Sequence, residues 1–112
     1  MTSANSQNRS SFHEYLIKSL QNPEEAAAYI EAVLEEEDPE PILLKSALLD
    51  VVEAFSKARL SPEQAELQRQ KLDHVLSLHG SQAIYGLMTW LNDIGLTLSV
   101  TVQAQEATTQ DD

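Results

Sequence analysis

Three histidines, His13, His74 and His79, are the first side chains in this sequence with the right types for chemistry. A metal-binding pair on a helix needs its imidazoles on one face, three or four residues apart. His74 and His79 are five apart and His13 lies far from both, so all three read as surface histidines and no metal site is expected. Catalysis is not expected either. A serine, a histidine and an acid can be picked from almost any chain, and nothing here resembles a nucleophile elbow. Gly80, Gly86 and Gly95 stand alone, so no glycine-rich loop is available to cradle a phosphate. No enzyme activity and no cofactor follow from these residues.

The other candidate is the polar stretch at residues 67–71, LQRQK, with Gln68, Arg69, Gln70 and Lys71. Arginine and glutamine can make paired contacts to guanine and adenine edges, so this stretch on an exposed helix would suit a DNA major groove. An ordinary solvated helix surface would look the same. Trp90 and Tyr85 fall within an apolar helix pattern and read as core rather than as base-stacking platforms.

The elements that must position these residues carry clear signals. Ser61-Pro62-Glu63-Gln64 is a helix start: a capping serine, a proline for the first position, an acid for the positive end of the dipole. Ala65, Leu72, Val75, Leu76 and His79 recur at helical spacing, and Gly80 can end the run in a left-handed cap. Nothing between residues 63 and 79 interrupts it, so the local pattern predicts one helix. Ser81 then caps a second, with Ala83, Ile84, Leu87, Met88, Trp90, Leu91 and Ile94 on a broad apolar face and Gly95 at its end. Beyond it Leu96, Leu98, Val100 and Val102 alternate with polar residues, the period of a half-buried strand. A lone strand leaves its edges unpaired. Its expected partner is another molecule, most simply the same strand of a second copy in a homodimer.

Upstream, Phe12, Tyr15, Leu16 and Leu20 mark a short helix over residues 11–20. Asn22-Pro23-Glu24-Glu25 opens the next, with Ala26, Tyr29, Ile30, Val33 and Leu34 as its stripe and the acids at 35–38 as its end. Asp38-Pro39-Glu40-Pro41 is a turn. A long helix over residues 41–58 follows, apolar at Ile42, Leu44, Leu48, Leu49, Val52 and Phe55, and wide enough to be central.

A length of 112 residues allows one domain, expected at 11–102 between a disordered polar tail at 1–10 and a disordered acidic tail at 103–112. The absence of cysteine excludes disulfides and thiolate zinc sites, and suits a cytoplasmic location. No apolar run is long enough to span a bilayer, and no signal peptide is visible. The net charge of −11 argues against a polyanionic partner for the whole chain. The charge is nevertheless uneven. Residues 21–40 hold eight acids and no base, whereas residues 57–71 hold four bases (Lys57, Arg59, Arg69, Lys71) and two acids. The acidic run is either a solvated loop entrance or a patch for a basic partner.

The chain also resembles the addiction-module antidote (antitoxin) proteins of the HigA-like kind, which carry a lambda-repressor-like helix-turn-helix. The N-terminal half resembles them at Tyr15-Leu16, Leu20, Pro23-Glu24, Ala26-Ala27, Tyr29, Ala32, Leu34-Glu35, Asp38-Pro39, Ala47-Leu48, Asp50-Val51 and Ala54. The C-terminal half does so at Leu67, Arg69, Leu72, Leu76-Ser77, Gly80, Leu87, Leu91 and Gly95-Leu96-Thr97-Leu98-Ser99-Val100, and the likeness spans residues 12–100. It departs from the family at Glu66, in place of a turn glycine, at Asp73 and His74, in place of a tyrosine and a base, and at Gly80-Ser81-Gln82, in place of Gly-Asn-Pro. Family cation positions are occupied by Thr89, Asn92 and Thr97.

The resemblance implies an all-α, five-helix lambda-repressor-like bundle whose C-terminal strand pairs across a homodimer. It further implies a transcriptional regulator that binds double-stranded operator DNA and neutralises a small basic toxin. Arg69 would open the recognition helix, docking Gln68–Lys71 in the major groove with Lys57 and Arg59 on phosphates. The alternative is a protein-interaction module of the same descent that no longer reads DNA and uses its acidic helix or strand edge instead. An unbroken helix through 62–79 would favour the alternative, and a break near 65–67 the regulator.

Overall fold

The computed structural model describes residues 2–103 and is all-helical there, with five helices: α1 (Thr2–Leu20), α2 (Pro23–Leu34), α3 (Pro41–Ala58), α4 (Pro62–Leu76) and α5 (Gly80–Asp93). No described helix is long and apolar enough to cross a membrane.

Three of the starts sit at Asn22-Pro23, Glu40-Pro41 and Ser61-Pro62, where proline lacks only an N–H that the first turn cannot use. Asn22 caps α2 by accepting from the Glu24 amide at 2.9 Å. Ser61 and Gln64 form a reciprocal capping box on α4: the Gln64 amide donates to Ser61 Oγ at 3.1 Å, and the Ser61 amide donates to Gln64 Oε1 at 2.9 Å. At the other end α2 stops at Leu34, just where four acids would crowd the negative pole of its dipole.

Other boundaries differ from the pattern-based reading. The helix expected over 11–20 is the C-terminal part of α1, whose backbone starts at Thr2. Neither proline nor glycine occurs in that stretch to stop propagation. Helix α4 ends at Leu76 rather than His79, and the cap of α5 is His79 rather than Ser81. Gly80 does take a positive φ of 63°, but as the first residue of α5 and not as the cap of α4. The acidic tail expected at 103–112 lies, apart from Gln103, outside the described residues.

Helix α3 is the centre: α1, α2 and α4 all pack on it, α1 also meets α2, and α5 packs on α4 alone among the helices. Ala47, Leu48, Val51, Val52, Ala54 and Phe55 of α3 are buried. Ile17 and Leu20, Ala26 and Ile30, Ala65, Leu72 and Val75, and Trp90, Leu91 and Ile94 join them from the other elements. The core side of α1 is therefore Leu16, Ile17 and Leu20, while Phe12 and Tyr15 face solvent. Trp90 is core, as its pattern predicts. Tyr85 is not: it is 67% exposed, because no helix other than α4 covers α5.

After Gly95 the chain forms no strand within the described residues. Leu96 and Leu98 are half-buried against the core, whereas Val100 (97% exposed) and Val102 stand in solvent. The alternation read from the sequence survives in the first two apolar positions and lacks a covering surface in the last two.

Candidate interaction surface

The polar stretch belongs to α4, and its members meet different surroundings. The helix runs unbroken from Pro62 to Leu76, so no turn separates Ala65 from Leu67. Glu66, a good helix former, lies inside that run. Gln68, read from sequence as DNA-binding, is buried at 6% exposure, whereas that reading places it on an exposed helix surface. Its backbone carbonyl accepts the Trp90 indole N–H at 2.8 Å, tying α4 to α5, while its side-chain Oε1 has no hydrogen-bond partner.

The remaining members, Arg69, Gln70 and Lys71, point outward, but each meets an acid. Glu66 takes both Arg69 (Nη1 to Oε1, 3.4 Å) and Gln70 (Nε2 to Oε2, 3.3 Å). Lys71 Nζ lies 3.5 Å from Asp93 Oδ2 on α5, and Lys45 Nζ lies 3.0 Å from Asp73 Oδ1 on α4. Exposed pairs of this kind hold little energy. Their consequence is that Arg69 and Lys71 each have a counter-charge beside them. Lys57 and Arg59 sit at the carboxyl end of α3, where a cation suits the dipole. The Arg59 guanidinium lies over the Phe55 ring, 4.8 Å from its centroid.

A second surface has the opposite character. Between α2 and the segment after Gly95 runs a groove of about 260 Å³, with Ile30, Leu34, Leu91, Leu96 and Leu98 as its apolar lining and Glu31 and Glu35 among its polar residues. Glu31 and Glu35–Glu37, with Asp38 and Glu40, are all exposed, and no base lies in the last turn of α2. One border is a strip of open backbone. The Leu96 amide donates to the Leu91 carbonyl at 2.8 Å, but among the described residues 97–102 have no backbone partner. An apolar floor, acidic side chains and unpaired main-chain groups are the components of a peptide-binding edge.

A third cluster was not legible from spacing. Tyr29 on α2 donates to Asp50 Oδ2 on α3 at 3.1 Å. Burial first, then that hydrogen bond and the carboxylate charge, push the Tyr29 phenol up to about 12. His13 Nε2 on α1 lies 3.2 Å from Glu53 Oε1, one turn along α3 from Asp50. The histidine and the glutamate are forty positions apart, and only the packing of α1 on α3 joins them. Comparison of the chain with family models, with curated proteins and with solved structures gives no match.

Proposed function

We propose that this chain is a protein-interaction module that holds a basic polypeptide segment in the groove between α2 and residues 96–102. The observation that carries this reading is the combination in one place of an apolar floor, exposed acids and backbone that has no partner among the described residues. A segment with alternating apolar and basic side chains would fit on each count. Its main chain would pair with residues 97–102, and its apolar residues would cover Leu34, Leu96 and Leu98. Its lysines or arginines would meet Glu31 and Glu35. A small basic toxin of the kind that the family resemblance implies belongs to this partner class.

Two other occupants are less well matched. A second copy pairing strand to strand in a homodimer would cover Val100 and Val102, but would bring together two chains of net charge −11, each with its acidic α2 beside the joint. Operator DNA would have to approach an α4 that buries Gln68 and pairs Arg69 and Lys71 with acids. Each lost cationic contact removes part of a salt-dependent affinity.

A soluble peptide of alternating valine and lysine, titrated into the full chain and followed by fluorescence anisotropy, tests the reading. Binding that weakens with salt, and weakens about fivefold or more in the Glu31→Gln/Glu35→Gln double variant, is expected from loss of two charges flanking the site. An affinity indifferent to those two acids, or no binding, overturns it. So would a gel shift of duplex DNA abolished by Arg69→Ala. A concentration-dependent dimer in sedimentation, broken by Val100→Lys, would assign the edge to a second copy instead.

A further inference from the structure

We infer that His13, Asp50 and Glu53 form a binding site for a first-row divalent cation of the zinc type, and that the ion would fasten α1 to α3. One ligand atom from each residue can be chosen so that all three lie within 4.8 Å of one another, and the His13 Nε2 to Glu53 Oε1 distance is already 3.2 Å. Ligand bonds of about 2.0–2.2 Å in a tetrahedral set put neighbouring donor atoms roughly 3.3–3.6 Å apart. Closing the third corner therefore asks only for an ångström-scale adjustment. His13 and Glu53 are each nearly half exposed and have the rotamer freedom to supply it.

The donor set has the chemistry for such an ion. One imidazole nitrogen with two carboxylates suits zinc and its neighbours, leaves a fourth position for water, and lacks the oxygen count that calcium requires. Asp50 and Glu53 come from one face of α3, three residues apart, so their relative placement is fixed by the helix. Tyr29 occupies Asp50 Oδ2 from outside the cluster, which orients the carboxylate and leaves its other oxygen uncommitted. The surplus of negative charge over the whole chain raises the local concentration of dications. A bound ion would add a cross-link between two helices already joined by core packing and by the His13–Glu53 contact.

Zinc chloride titrated calorimetrically into the full chain in a non-chelating buffer is the test, with thermal unfolding followed in parallel. The expected result is one ion per chain and a melting temperature that climbs with zinc concentration, since the ligand binds the folded state alone. His13→Ala and Glu53→Gln should each weaken binding at least about tenfold, because a tetrahedral site loses one of its three protein ligands. His74→Ala and His79→Ala should leave it unchanged. Melting of each variant without metal shows that it still folds. Zinc that binds His13→Ala as it binds the parent, or that binds without raising the melting temperature of the parent, overturns the assignment.

Discussion

Helices α3 and α5 both present broad apolar faces in the sequence, yet they meet different fates. Three helices cover α3, and six of its side chains are buried. Only α4 covers α5 among the helices, which buries Trp90 and Leu91 and leaves Ile84 and Tyr85 in solvent. The width of an apolar face thus reports how much surface could be buried. The number of neighbours that reach it decides how much is.

The difference can be broken or sharpened by mutation. The largest effects should come from the two buried aromatics, Phe55→Ala on α3 and Trp90→Ala on α5, each costing about 3–5 kcal/mol in urea unfolding. If Trp90→Ala left the midpoint unchanged, α5 would be an appendage and not part of the cooperative unit. Next, Gln68→Met at the α4–α5 joint removes a buried oxygen without a partner while keeping the volume, and should raise stability by about 1 kcal/mol. A loss of stability there would mean that the oxygen is satisfied in solution. Ser61→Ala deletes half of the capping box that starts α4, and should cost about 1 kcal/mol in the same assay.

The burial of Tyr29, together with its bond to Asp50 on α3, predicts an alkaline limb. The phenol is held at about 12 in the folded chain, against its ordinary value of 10.0, so the folded state keeps a proton that the unfolded state has lost between them. Its contribution to stability is full below pH 10, falls as pH rises through that window, and is gone above it. Urea unfolding of the parent and of Tyr29→Phe across this range should show a steeper decline for the parent. Smallest of all, Ile84→Ser and Tyr85→Ser on the uncovered face of α5 should each shift stability by no more than about 0.5 kcal/mol. A larger cost would mean that this face is covered in solution.

Much of the fold was legible because its signals are local. Asn22-Pro23, Pro41 and Ser61-Pro62 announce helix starts through groups within three residues, and the structure places α2, α3 and the start of α4 at those positions. The choice between one helix and a bent pair over residues 62–79 was also local: no glycine or proline follows Pro62 before His79, and the helix stays whole to Leu76. Where the reading failed, the deciding contact was distant. Gln68 looks solvated beside Arg69 and Gln70, and only the arrival of α5 turns it inward. Tyr85 looks buried beside Leu87 and Met88, and only the lack of a second neighbour leaves it out. His13 carries no mark of the α3 carboxylates it meets, because no pattern within α1 encodes where α3 passes. The groove is a mixed case. Its acids and its alternating tail were each visible as separate strings, but their shared border is a product of tertiary packing.

The indole of Trp90 donates its N–H to a carbonyl in the middle of α4, and the chain contains no other tryptophan. Emission excited at wavelengths where the three tyrosines do not absorb is consequently a single-site gauge of the seam it spans. A ligand that seats without prying the last helix loose should leave the spectrum blue, whereas any detachment lets water in and reddens it, with no label attached.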